Sequence, residues 1–213
     1  MQQILVYADS LSWGIIPNTR KRLDFDQRWP GVMELHLASS GLRVRVIEDC
    51  LNGRRTVWED PFKPGRRGIE GLAQRIEINS PLALVILMLG TNDFQATHEN
   101  NAWLSAQGVG AMVNAIRQAP IEPGMPVPPI LIVSPPAMST PRGTIAPKFS
   151  GALERSLGLA KELEDLAGLL NCHFFDAGTV VRSSEIDGIH LDAPEHRKLG
   201  AALALAVDSI LGN

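Results

Sequence analysis

Ser10, Gly53, Asn92, Asp187 and His190 are the residues whose types and surroundings could carry chemistry. They stand in Ala8-Asp9-Ser10-Leu11, Asn52-Gly53, Gly90-Thr91-Asn92-Asp93 and Asp187-Gly188-Ile189-His190. A serine hydroxyl becomes a useful nucleophile when a base takes its proton and a carboxylate orients that base. The oxyanion that forms at an attacked carbonyl also needs hydrogen-bond donors aimed at it. Ser10, His190 and Asp187 are of the right types for nucleophile, base and orienting acid, with Asp176 and Asp192 as competing carboxylates. The backbone amides of Ser10 and Gly53 and the side-chain amide of Asn92 can serve as oxyanion donors. Taken one at a time, such residues are common in turns and caps. Only as a set do they point to acyl chemistry at a serine.

The elements that must gather them are legible as a pattern. Ile4–Tyr7, Val44–Ile47, Leu84–Leu89, Ile130–Val133 and His173–Phe175 read as strands, being short, rich in Val, Ile and Leu, and followed by turn-forming or polar residues. Apolar on both faces, they suit a parallel sheet covered on both sides. Helical patterns lie between them: Trp29–Ser39, Ile69–Ile78, Ala102–Gln118, Lys148–Leu170 and a last helix from about Pro194 to Leu211. In the longest, Leu153, Leu157, Ala160, Leu163 and Ala167 form one apolar stripe. In the last, Leu199, Leu203, Ala206 and Ile210 form the inner face. Strands alternating with helices predict a three-layer α/β/α sandwich around a five-stranded parallel sheet, flavodoxin-like, with right-handed crossovers. Ligands of such sheets bind beyond the carboxyl ends of the strands. That is where the candidate residues fall.

Composition narrows the classes. The chain has 213 residues, 45% of them hydrophobic, with 20 basic and 23 acidic side chains for a net charge of −3. No basic excess is present to release counterions from nucleic acid. The longest apolar run, Leu82–Leu89, falls far short of the roughly 20 residues of a membrane span. Residues 1–8 have no basic stretch ahead of an apolar one, so no secretory signal is expected. Cys50 and Cys172 cannot build a disulfide framework, and both are expected to be buried thiols in a reducing cytoplasm. The expectation is one domain over residues 1–213, in the cytoplasm, with no nucleic acid and no membrane as partner.

With these residues and this order, the chain resembles the SGNH (GDSL-type) hydrolases, a family of serine esterases, lipases and acyltransferases. The four family blocks, lettered for Ser, Gly, Asn and His, correspond to Ser10, Gly53, Asn92 and His190. The likeness covers essentially the whole chain. Ala8 stands where the first block usually begins with Gly. The stretches Ser10-Leu11-Ser12-Trp13-Gly14, Met88-Leu89-Gly90-Thr91-Asn92-Asp93 and Asp187-Gly188-Ile189-His190 look most like the arylesterase and acyltransferase subgroup. The resemblance selects Asp187 over the competing acids. It implies the SGNH hydrolase fold, an acyl-Ser10 intermediate, a small ester substrate with a short acyl or aryl group, and no cofactor.

Transfer of the acyl group to an alcohol or sugar hydroxyl uses the same residues, and a non-catalytic binding module is the remote alternative. Leu11, Ile15, Thr91, Phe149 and Ile189 are expected to line the substrate pocket, because they flank the candidate residues or lie in a covering segment. The Pro-rich stretch Ser134–Pro147 reads either as a rigid surface connection or as a wall over the active end. Residues 54–68 carry five basic side chains with Trp58 and Phe62. They read as a solvated loop, or more sharply as a homo-oligomer contact, which related acyltransferases build from such insertions. His36, His98, His173 and His196 make no metal-ligand spacing, and Gly108-Val109-Gly110 lacks the third glycine of a dinucleotide loop. No metal site is expected.

Overall fold

The computed structural model describes residues 1–212. Five parallel strands form one sheet: β1 (Gln2–Ala8), β2 (Val44–Cys50), β3 (Leu84–Met88), β4 (Ile130–Ser134) and β5 (His173–Asp176), in the order β2-β1-β3-β4-β5. β1, β3 and β4 are buried almost throughout, as a sheet covered on both faces requires. The helices are α1 (Ser10–Trp13), α2 (Trp29–Ser39), α3 (Leu72–Asn79), α4 (Ala102–Arg117), α5 (Ala152–Arg155), α6 (Leu159–Leu169) and α7 (Ala193–Leu211). α2 packs on α7, and α4 packs on α3 and α6. The expected three-layer α/β/α fold is therefore present. Among the described residues, no helix is long and apolar enough to cross a membrane.

The register sets the geometry of the active end. Ala8 lies opposite both Cys50 and Met88, so β1, β2 and β3 finish level with one another. From β1 the chain steps to β2 on one side and then to β3 on the other. The crevice at this reversal is where such sheets bind ligands. The segments that follow β1 and β3, carrying Ser10 and Asn92, open into it.

Several boundaries differ from the sequence reading. The single helix expected over Lys148–Leu170 is a 3-10 turn (Gly143–Phe149) followed by α5 and α6. Gly151 and Gly158 are the cause, with φ of +70° and +85°, a left-handed conformation that no continuous right-handed helix accommodates. Leu157 therefore leaves the expected stripe and is 75% exposed, whereas Leu163 and Ala167 remain in the core. Gly71, at φ +72°, likewise delays α3 to Leu72. On α7 the inner face runs through Leu199, Leu203 and Val207, with Ala206 only half-buried. Cys50, the last residue of β2, and Cys172, between α6 and β5, are free thiols that pack against the core but are only partly buried.

The α2–α7 contact depends on a missing side chain. A Cβ at Gly200 would come within 2.6 Å of Val32 Cβ and 2.7 Å of the Trp29 carbonyl oxygen. A Gly→Ala change at an unobstructed helix interior adds up to ~1 kcal/mol of stability. Here the clash reverses the sign. Gly200→Ala is expected to destabilise by about 1–3 kcal/mol, the usual cost of overpacking. A lower urea midpoint at constant slope would register it, and a raised midpoint would refute the close approach.

Candidate active site

Ser10 opens α1, directly after β1. Asp9 caps that helix: its Oδ1 accepts the amide of Leu11 at 2.9 Å. Its other oxygen, Oδ2, accepts the side-chain amide of Asn92 at 2.8 Å across the crevice. Asn92 lies in a 3-10 turn (Thr91–Phe94) entered through Gly90, whose φ is +124°. The Asn92 carbonyl in turn accepts Gln95 Nε2 at 2.6 Å, and Gln95 Oε1 accepts Arg55 Nη2 at 2.7 Å. One N–H of Asn92 is thus spent on Asp9, its oxygen is spent on Gln95, and the second N–H is left for another acceptor.

His190 joins Ser10 from the far end of the chain. Its Nδ1 lies 2.7 Å from Asp187 Oδ2 and its Nε2 lies 3.2 Å from Ser10 Oγ. A carboxylate only accepts, so the imidazole proton sits on Nδ1 and the Nε2 lone pair faces the hydroxyl. Asp187 Oδ1 accepts the amides of Ile189 and His190 at 3.0 and 2.9 Å. Burial disfavours the Asp187 charge, but the hydrogen bond and attraction of His190 and those two amides outweigh it and lower its pKa to about 2. All three side chains are buried. Of the competing acids, Asp192 accepts Ser184 Oγ and Asp176 caps the turn after its strand, so neither reaches the imidazole.

The loop that carries Asp187 and His190 is long and is braced from outside. Gly188, at φ +79°, has no room for a side chain, because a Cβ would lie 2.3 Å from the Thr140 carbonyl oxygen. Ser139 N–H donates to the Gly188 carbonyl at 2.9 Å and Arg142 N–H to the Asp187 carbonyl at 3.0 Å. The stretch Ser134–Pro147 is therefore a brace for this loop, and the 3-10 turn that overlaps its end (Gly143–Phe149) supplies Ile145 and Phe149 to the cleft. Gly53, at φ +83°, follows β2. The nearest atom to a Cβ there is 4.0 Å away, so backbone conformation is what calls for glycine, rather than crowding.

Ser10, Gly53, Asn92 and His190 line one cavity of about 90 Å³ together with Ile15, Phe149 and Ile189. A second, adjoining cavity of about 300 Å³ contains His190 and Asp187 but neither Ser10 nor Gly53 nor Asn92. Two of the expected pocket residues are elsewhere. Leu11 is 1% exposed and packs in the core, since one step along a helix turns a side chain about 100° away from Ser10. Thr91 lines a separate apolar groove of about 550 Å³ with Phe94, Pro135 and Leu157, which holds none of the reactive groups. The reading of residues 54–68 as a solvated loop also fails in part. Arg54 is buried over the Tyr7 ring at 3.8 Å and donates to the Ala8 carbonyl, and Arg55 is fully buried. Phe62, by contrast, is 85% exposed.

Asp9, Gln95, Arg55 and the cavity-lining Arg20, Lys63 and Lys148 were not singled out from sequence. Asp9 adjoins Ser10 and Gln95 follows Asn92 by three residues, but their partners are fixed only in three dimensions. Among the described residues, no group of three His, Cys, Asp or Glu side chains gathers as a metal site would require.

A sequence profile of the GDSL-like Lipase/Acylhydrolase family matches residues 9–198. The chain belongs to that family and is a carboxylic ester hydrolase. Solved structures agree. A carbohydrate acetylesterase family member from Sinorhizobium meliloti is 36% identical, with a TM-score of 0.93 and 100% of both chains covered. The inhibitor-bound aryl esterase of M. smegmatis is 33% identical, with a TM-score of 0.93, covering 99% of this chain and 100% of its own. Est24, a carbohydrate acetylesterase from Sinorhizobium meliloti, is 32% identical, with a TM-score of 0.92 and the same coverage. No curated protein matches the chain.

The Asp187 carboxylate couples stability to pH. Its folded pKa of about 2 lies below the ordinary 3.8, so its contribution is fully present above about pH 5 and is lost as pH falls through 3.8 towards 2. The difference corresponds to roughly 2 kcal/mol at neutral pH. Asp187→Asn is expected to be less stable than the parent by about that amount at pH 7, with the gap closing towards pH 2. Urea midpoints measured across the range test this, and a gap independent of pH would contradict it.

Proposed function

We propose that the chain hydrolyses small esters with short acyl groups through an acyl-Ser10 intermediate, in one domain spanning residues 1–213. The observation that carries this reading is the hydrogen-bonded run from Asp187 through His190 to Ser10, at 2.7 and 3.2 Å. Ser10 Oγ attacks the ester carbonyl carbon while its proton passes to His190 Nε2, and the carbonyl electron pair moves onto oxygen. The amides of Ser10 and Gly53 and the remaining N–H of Asn92 hold that oxyanion. Asp187 keeps the imidazole in the needed tautomer and stabilises its cation. Collapse breaks the bond to the alcohol oxygen, which leaves with the proton from Nε2. Water then repeats the sequence on the acyl-serine, and the acid departs.

A serine cavity of about 90 Å³, the smaller of the two adjoining cavities, supports a short acyl group. The carbohydrate acetylesterases and the aryl esterase among the similar structures support the same size class. An alcohol or sugar hydroxyl that enters in place of water receives the acyl group by the same steps, so acyl transfer is the second reading. The exposed Phe62 on the loop after β2 supports assembly of copies through that segment, and two free thiols are in keeping with a cytoplasmic setting.

Ser10→Ala is expected to lower kcat on nitrophenyl acetate by roughly 10⁴-fold or more and to abolish organophosphate labelling. Asn92→Ala is expected to cost about 10²–10³ in kcat. Among nitrophenyl esters from acetate to laurate, kcat/KM is expected to be highest for acyl groups of roughly two to six carbons and to fall beyond, each buried methylene adding about 0.8 kcal/mol only until the pocket is full. Labelling at another serine would remove the assignment. A steady rise to laurate would refute the small pocket. Product ratios in water–alcohol mixtures separate hydrolysis from transfer.

A further inference from the structure

The chain carries a net charge of −3, yet the mouth of the serine cleft is basic. Arg20, Lys63 and Lys148 all line the cavity that holds Ser10, and they come from three separate segments: the loop after α1, the loop after β2 and the 3-10 turn before α5. Arg20 and Lys148 continue into the adjoining cavity. Among the described residues, Arg20 and Lys63 make no ion pair, and Lys148 has only Asp60, at 4.0 Å. Asp60 is itself buried and shared with Arg55 at 3.5 Å. Asp187 is the one carboxylate lining either cavity, and its oxygens are engaged by His190 and backbone amides.

These cations repel one another in the free enzyme. The Lys63 ammonium is held below its usual range by burial, with Arg66 and Arg20 adding to the effect. Lys148 is lowered first by burial, which Asp60 opposes, and further by Arg55, Lys63 and Arg20. A bound anion would relieve that repulsion and gain charge-assisted hydrogen bonds from Arg20 and Lys148.

Position decides which part of the substrate carries the charge. The departing alcohol must take its proton from His190 Nε2, so it leaves towards the imidazole. Arg20, Lys148 and His190 line both cavities; the larger, of about 300 Å³, extends past them to Asp187 and Asn18 and away from the oxyanion donors, which leaves it as the room for the alcohol portion. The acyl carbon must instead sit over Ser10, in the cavity of about 90 Å³. Resting on the acyl-Ser10 reading above, we propose that the enzyme prefers esters whose alcohol portion bears an anionic group, such as a carboxylate, which Arg20 and Lys148 bind while Lys63 adds to the local positive field. The cluster selects substrate and steers it to the cleft, because a focused field of one sign raises the encounter rate of the opposite charge.

The test compares 3-acetoxybenzoate with its neutral methyl ester, each rate being divided by that for alkaline hydrolysis of the same compound. The expected result is a corrected kcat/KM at least about tenfold higher for the anion at low salt, falling steeply by 0.5 M NaCl as screening sets in. Arg20→Glu and Lys148→Ala are each expected to reduce that anion-to-neutral ratio several-fold, mainly through KM. A ratio unchanged in both variants overturns the proposal. So does a preference that appears only when the charge is on the acyl side, read from monophenyl glutarate against phenyl butyrate. Calorimetry on Ser10→Ala gives a readout independent of turnover: 3-hydroxybenzoate is expected to bind more tightly than its methyl ester, and equal affinities count against the anion site. Hydrolysis of the neutral ester that survives Ser10→Ala would instead refute the acyl-serine reading, so the two failures are distinct.

Discussion

The buried carboxylate of Asp9 links the parts of this active end. One oxygen closes the first turn of α1 and so sets the direction of Ser10; the other holds Asn92 from the turn after β3. A single residue therefore fixes Ser10 relative to Asn92 across the point where strand order reverses. The arrangement costs energy. Burial raises the Asp9 pKa to about 6, against the opposing pull of the Leu11 amide, His190, Asn92 and Arg54. Asp93 lies in a like position: burial raises it to about 6, although the amide of Thr56 and the hydroxyls of Ser105 and Thr56 all donate to it. Charges kept inside the protein in this way are tolerable only when their oxygens are hydrogen-bonded. Here the donors come from α1, the turn after β3, the loop after β2 and α4, so satisfying the charge also locks those segments together.

The other half of the site has a different logic. Asp187 and His190 are three residues apart in one turn, and their mutual bond needs little help from the sheet. What must be supplied from elsewhere is the position of the whole turn relative to Ser10, 180 residues earlier in the chain. The brace from residues 139–142 supplies it through two backbone hydrogen bonds and the close fit at Gly188. Main-chain contacts thus fix the turn that presents His190 to Ser10.

Much of this was readable in the sequence because the reactive residues follow strands, and strands announce themselves by short Val, Ile and Leu runs. Ser10, Gly53, Asn92, Asp187 and His190 fall where that reading set them, and the parallel sheet does bring them to one end. What did not survive was inference from adjacency. Leu11 neighbours Ser10 and Thr91 neighbours Asn92, yet helical and 3-10 geometry turns each away from its neighbour's cavity. The long helix over Lys148–Leu170 failed because an apolar stripe does not show when a glycine adopts positive φ; Gly151 and Gly158 do, and they interrupt it. The Arg55–Gln95–Asn92 run could not have been found from spacing, since its members meet only after β2 and β3 are side by side.

The contact between Gly188 and Thr140 has a consequence for how this enzyme can diversify. The segment that ends by forming the cleft wall is the same one that supports the turn bearing the base. Cleft shape and the position of His190 are therefore mechanically joined: a change that reshapes the wall also pushes on the imidazole. New substrate range in this scaffold is more readily reached from the loop after β2, at Asn52 and Lys63, because on the Ile15–Arg20 side the Asn18 amide itself donates to Asp187 Oδ2 at 3.3 Å. The two rims differ in evolvability although they enclose the same space.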